Sequence, residues 1–258
     1  MSAAAPATHR LHGALLNGER PVLPRPGFAF TRLPRRIFFI GFNKTATSAL
    51  HLLMLASGVR ALHGSGNGKV FGRTRAERAT VGHAMRRIWR NLEAGRPPIE
   101  QLEAYDCFLD LTFGAHDLCR RFRDFDAAYP DAVFVLNTRD RESWLSSRGA
   151  HKNSVAVAAE KFGCDPGDVR ARWAADFDAH HRETRAHFAG SSRFWEWDIT
   201  GDVRELTGFL NSQGVPADPA YYLRVRETGG LYLPPPWRVV MTPTDVSVRP
   251  VQLTLKGL

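Results

Sequence analysis

A chain of 258 residues has room for one large domain or two small ones, and its 43% hydrophobic and 24% charged content excludes the disordered, collagen-like and coiled-coil classes. The 35 basic and 26 acidic side chains leave a formal charge of +9, which favours anionic partners such as phosphates, nucleotides, nucleic acid or acidic glycans. Three widely spaced cysteines, Cys107, Cys119 and Cys164, suit neither a disulfide framework nor a CxxC metal site and fit a reducing cytosol.

Residues 1–34 read as an irregular arm without the apolar centre of an export signal. The run Arg35 to Gly41 (RRIFFIG) is short, apolar and branched, as a buried parallel strand should be, and it meets Asn43 and Lys44 too soon to span a membrane. Helical spacing of Leu50, Leu53 and Met54 predicts a helix from Thr47 to about Leu55, with the hydroxyls of Thr45, Thr47 and Ser48 placed where it begins. A second apolar piece, Val59 to Leu62, leads into a glycine-rich basic stretch (HGSGNGK, then FGRTR) with loop character, and a helix follows over Arg75 to Leu92.

Asp106 to Phe113 (DCFLDLTF) reads as one buried strand, and a helix passes through Leu118 and Phe122. Ala132 to Leu136 is the clearest strand, a helix starts near Glu142, and a long one covers Asp168 to Phe188 with its cap at Gly190. A strand at Arg193 to Trp197 and a helix from Val203 to Leu210 complete a main domain over 35–233. Three prolines, Pro234 to Pro236, then precede a β-rich appendage over 234–258 containing WRVVM and VQLTL. Strands alternating with helices imply an α/β architecture with a mostly parallel central sheet.

The segment Gly41 to Ser48 (GFNKTATS) lies between a strand and a helix, where backbone N–H groups and the helix dipole make an anion site. Its lysine follows the glycine by three residues, so it is no Walker A loop, and an ordinary triphosphatase is disfavoured. The segment GFNKTATSAL resembles the loop of sulfotransferases that use 3'-phosphoadenosine 5'-phosphosulfate (PAPS), whose bacterial members read much like GFNKTGTTSL. That resemblance implies a P-loop-like three-layer fold with helices on both sheet faces. It assigns Asn43, Lys44, Thr45, Ala46, Thr47 and Ser48 to the 5'-phosphosulfate, with Lys44 on the bridging oxygen. Ala46 replaces the usual glycine, which an alanine can do without strain only if φ stays negative.

The same resemblance assigns Arg139, at the end of the strand AVFVL, and Ser147, eight residues on, to the 3'-phosphate. Trp144 between them reads as packing. Weaker similarity runs from about Arg36 to Leu210, and the tail departs, leaving Arg224, Arg226, Gly229 and Gly230 as weak candidates for completing the 3'-phosphate site.

Sulfuryl transfer to a hydroxyl needs stabilisation of the leaving phosphate, which falls to Lys44, and a base for the acceptor's proton. Asp110 is the first candidate base, at the strand position where animal relatives carry a catalytic histidine; alternatively it is structural and orients Lys44 or a loop amide. His63, at the end of the second strand, is the rival, with His116 and His151 placed more loosely. His180, His181 and His187 lack a metal-ligand frame and read as packing or solvated. The expected reaction uses PAPS as sulfuryl donor, no metal, and a small-molecule or glycan hydroxyl acceptor, without a nucleic-acid or membrane partner, in the cytoplasm. The competing readings are an atypical P-loop small-molecule kinase, which needs a magnesium-binding carboxylate, and a non-catalytic nucleotide-binding protein.

Overall fold

The structure, a computed structural model, describes residues 32–64, 75–151, 153–222, 237–241 and 246–250, without the side chains of 75–83 and of the last two segments. Strand β1 (Ile37–Phe39) is followed by helix α1 (Thr47–Ala56), β2 (Ala61–His63), α2 (Arg75–Glu93) and β3 (Cys107–Leu109). A small hairpin, β4 (Thr112–Phe113) and β5 (His116–Asp117), leads through a 3-10 turn into α3 (Phe122–Ala128) and β6 (Val133–Thr138). Then come α4 (Arg141–Gly149), α5 (Ser154–Phe162), α6 (Val169–His187), β7 (Phe194–Asp198) and α7 (Val203–Ser212).

Five strands form one sheet in the order β2-β3-β1-β6-β7, with every neighbouring pair parallel. Alternate residues of β1 serve opposite faces, as the two-residue strand period requires. Ile37 and Phe39 pack with Leu50 and Leu53 of α1 and Leu206 and Leu210 of α7. Phe38 and Ile40 pack with Ile88 of α2, Phe125 of α3, Trp144 of α4 and Trp173 of α6. Both faces are therefore covered, and this explains why β1 and β6 read as unbroken apolar runs. On the second face the Phe38 ring lies 4.8 Å from Phe125 and 5.5 Å from Phe134, and each such side chain contributes about 1.5–3 kcal/mol by leaving water. At the N-terminal end of the sheet, buried Asp106 takes Arg36 at 2.6 Å and Arg60 at 2.6 Å, tying β1, β2 and β3 together.

The α/β class and the parallel sheet are as the sequence predicts, but several elements differ. The expected strand Asp106 to Phe113 stops at Leu109, because Asp110 takes a left-handed backbone (φ 52) that turns the chain into the β4–β5 hairpin. Helix α5 was not anticipated; its alternating alanines and valines give a weak helical face of which only Ala158 and Ala159 are buried. Helix α6 ends at His187, with Phe188 as its cap, and Gly190 (φ 75) lies in the turn beyond. In the tail, WRVVM forms β8 (Trp237–Met241), but its antiparallel partner is β9 (Val246–Pro250), and VQLTL lies outside the described residues. So do residues 1–31, nearly all of the glycine-rich stretch, and Arg224, Arg226, Gly229 and Gly230.

Candidate functional site

The order β2-β3-β1-β6-β7 reverses direction at β1, so the loops after β1 and β6 open a crevice at the C-terminal edge, where α/β proteins place ligands. Gly41 makes the approach possible, since a Cβ there would stand 1.9 Å from the Asn137 carbonyl oxygen. Its N–H donates to Asn137 Oδ1 at 3.0 Å, while Asn137 Nδ2 donates to Thr45 O at 2.9 Å and Thr45 Oγ1 at 2.7 Å. Thr45 Oγ1 in turn donates to Phe42 O at 2.5 Å. Trp144 does more than pack, because its Nε1–H donates to Asn43 O at 2.9 Å. The loop is thus fixed from β6 and α4 by two side chains, and sequence reasoning missed Asn137 altogether.

Within the loop Lys44 (φ 68) and Ala46 (φ 57, ψ 19) are left-handed while Thr45 between them is not. Backbone of alternating hand turns successive amides toward one concavity, the nest that binds anions. The condition for an unstrained alanine, a negative φ at Ala46, is therefore not met, and alanine occupies the left-handed position where the resembling loops carry glycine. Hydroxyl capping of α1 is also overturned: Ala46 is its N-cap and no side chain caps it, since the Thr45 hydroxyl is engaged inside the loop. Among the described residues the amides of Thr45, Ala46, Thr47 and Ser48 donate to no acceptor, leaving a positive helix end open to an anion.

Arg139 leaves the end of β6 and folds back over the loop. Its Nη1 donates to Lys44 O at 3.4 Å, its Nη2 donates to Ser143 Oγ, and its buried Nε has no partner among the described residues. Asp140 caps α4 by accepting from Ser143 N at 2.8 Å. Ser147 stands one turn beyond Ser143 on the same face of α4, half-buried, and among the described residues it makes no hydrogen bond to Arg139. Ser143 is thus the serine nearest the arginine, and the i, i+4 spacing from Arg139 was the signal for it. Lys44, half-exposed, carries its Nζ 3.5 Å from Nδ1 of exposed His151, just past α4.

Asp110 and His63, the two candidate bases, are brought together at the ends of β3 and β2. His63 Nδ1 is 3.6 Å from Asp110 Oδ2, and its Nε2 is 3.1 Å from Thr47 Oγ1. Both are buried, at 2% and 4% exposure. His116 sits instead against Trp89 and Phe113, with burial holding its pKa down.

A cleft of about 390 Å³ adjoins Arg139 at the ends of β6 and β7, lined also by Thr138, His181, Arg182 and Asp198. His181 shares a 2.7 Å hydrogen bond with Thr138 Oγ1 and donates from Nδ1 to Phe177 O at 2.8 Å. His180 donates from Nε2 to Ile40 O at 2.8 Å, and burial pushes its pKa down to about 4. These two neutral histidines are packing groups, and His187 pairs with Asp126 at 2.8 Å. Arg148, also unforeseen, braces α4 against the β4–β5 hairpin: it meets both Asp117 oxygens, at 3.1 and 2.9 Å, and stacks over Trp173, Trp144 and Phe42.

No curated protein matches the chain. A family model described as a sulfotransferase domain matches residues 36–163. That span runs from the first sheet strand through Lys44, Asp110, Arg139 and Ser147 to the end of α5, so over these residues the chain matches a sulfotransferase domain, which supports sulfuryl transfer as its general activity.

Proposed function

We propose that this protein transfers the sulfuryl group of PAPS to a hydroxyl of a small-molecule or glycan acceptor. The observation that carries the reading is the uncapped start of α1, where the amides of Thr45 to Ser48 converge in a loop of alternating hand, flanked by Lys44 and Arg139. Such a site fits a phosphate, and the partnerless buried Nε of Arg139 fits a second anionic group nearby. The donor supplies an activated sulfuryl group on a phosphate leaving group.

The residues of this chain divide the remaining work. The amides and hydroxyls of Thr47 and Ser48 hold the 5'-phosphate, and Thr45 contributes its amide. Asn43 contributes through the loop backbone, which Trp144 clamps. Lys44 neutralises charge that develops on the leaving oxygen, and Arg139 with Ser143 and Ser147 receives the 3'-phosphate. The 390 Å³ cleft beside Arg139 gives room for the nucleoside. We place the reaction in the cytosol, supported by the free thiols of Cys107, Cys119 and Cys164; no helix among the described residues is long and apolar enough to cross a membrane.

The experiment follows conversion of PAPS to the bisphosphate nucleotide with a panel of hydroxyl acceptors, for the wild type and Lys44→Ala. Sulfated product with the wild type is expected, with turnover falling far more in Lys44→Ala than affinity for the product nucleotide, because the lysine acts on charge present mainly in the transition state. Equal losses in rate and affinity would reduce Lys44 to a binding residue, and no product with any acceptor would overturn the reading.

A further inference from the structure

We infer that Asp110 and His63 are positioning residues of the donor site, which act through Thr47, and that neither takes the acceptor's proton. The inference rests on reading the α1 loop as the seat of the nucleotide's 5'-phosphate. The three side chains form a chain: Asp110 Oδ2 faces His63 Nδ1 at 3.6 Å, and His63 Nε2 meets Thr47 Oγ1 at 3.1 Å. A base for an incoming hydroxyl needs a nitrogen or oxygen that the hydroxyl can reach. Here both imidazole nitrogens face protein groups, and only 2% of His63 and 4% of Asp110 is exposed.

The other end of the chain is at the anion site. Thr47 is the first helical residue of α1, and its amide is among those left open. Threonine in a helix divides between two χ1 rotamers because its hydroxyl can also bond back to a carbonyl of the preceding turn. The contact with His63 selects one rotamer and holds Oγ1 at the helix start. A hydroxyl has one donor and two acceptor positions, so the contact leaves capacity for a phosphate oxygen.

The far side of the chain is fixed in turn. His51, whose Nε2–H donates to Ala61 O at 3.0 Å, places its ring 5.4 Å from that of His63. Asp110 has a left-handed backbone (φ 52), and Gly64 packs so tightly on it that a Cβ would stand 1.9 Å from Asp110 O. Strain of this kind persists where surrounding structure over-determines it and a site makes use of it. Asp110 Oδ1 is buried without a partner among the described residues, so only Oδ2 engages the imidazole.

The test is a double-mutant cycle read by calorimetry, with 3'-phosphoadenosine 5'-phosphate and adenosine 3'-phosphate as probes. His63→Leu and Thr47→Val should each weaken the bisphosphate by about tenfold, and the double variant should be no weaker than the worse single. Binding of adenosine 3'-phosphate, which has no 5'-phosphate, should stay within about twofold. His63→Gln, which keeps an N–H donor near Thr47, should recover most of the loss. If His63→Leu does not fold, Asp110→Asn with Thr47→Val completes the cycle. Additive losses would overturn the inference, and wild-type bisphosphate binding in His63→Leu with turnover abolished would overturn it and make His63 the base. A wild type that fails to bind the bisphosphate would instead overturn the reading of the loop, and the inference with it.

Discussion

Asn137→Ala should unhinge the phosphate loop. Asn137 is fully buried at the end of β6 and is, among the described residues, the one side chain that bonds the loop at both Gly41 and Thr45. Truncation leaves the Gly41 N–H and the Thr45 carbonyl without the partners they have here, and each buried polar group so orphaned costs about 1–3 kcal/mol. The expected destabilisation is therefore about 2–6 kcal/mol, a large part of the 5–15 kcal/mol typical of a folded domain. Asn137→Asp keeps the acceptor for Gly41 but turns a carboxylate toward the Thr45 carbonyl, and should be at least as harmful. Urea unfolding gives the stability, and calorimetry with 3'-phosphoadenosine 5'-phosphate gives loop competence, which should fall with it. Stability within about 0.5 kcal/mol of wild type, the range of an ordinary surface substitution, together with unchanged nucleotide binding, would refute the reasoning.

Three further outcomes are expected. Ala46→Gly relieves a left-handed conformation that costs a Cβ-bearing residue about 1–2 kcal/mol, against up to about 1 kcal/mol of added unfolded-state entropy; urea unfolding should show equal or greater stability, whereas Ala46→Val should lose stability, and equal effects would contradict the observed φ of 57. Arg148→Met strands the buried Asp117 carboxylate and should cost about 3–5 kcal/mol, much of it recovered by adding Asp117→Asn; no recovery in the double variant would show that the aromatic stacking, not the ion pair, carries the effect. For His180, burial holds the folded pKa near 4 against about 6.5 unfolded, so the unfolded chain binds the extra proton between those values. The stability it contributes is full above pH 6.5 and lost as pH falls toward 4, about 3 kcal/mol in all; unfolding curves across that range should flatten in His180→Gln, and an unchanged slope would assign the acid limb elsewhere.

The parallel sheet was legible because β1 and β6 are buried on both faces and leave continuous apolar runs. The loop was legible because a lysine and hydroxyls between such a run and a helical pattern have few other uses. What escaped depends on contacts between distant segments. Asn137 looks like the fading end of a strand until Gly41 lies beside it, and Arg148 looks like a wet helix face until Asp117 and Trp173 enclose it. Backbone handedness was equally hidden: alanine at 46 takes a left-handed conformation its residue type disfavours, and aspartate at 110 takes one it tolerates but that sequence does not announce, cutting a predicted strand in two. Asp110 and His63 were singled out separately as rivals, since nothing in their sequence separation shows that β2 and β3 pair in register and bring the two side chains together.

The central claim, a site built for a nucleotide phosphorylated at both 3' and 5' positions, is tested most directly by calorimetry of the wild type and Arg139→Ala with 3'-phosphoadenosine 5'-phosphate, adenosine 5'-phosphate and ATP with magnesium. The wild type should bind the bisphosphate at least about tenfold more tightly than the other two, as a charge-assisted contact worth about 1.5–3 kcal/mol requires, and Arg139→Ala should erase that preference. Equal affinities for the bisphosphate and the 5'-monophosphate, or tightest binding of ATP with magnesium, would contradict it.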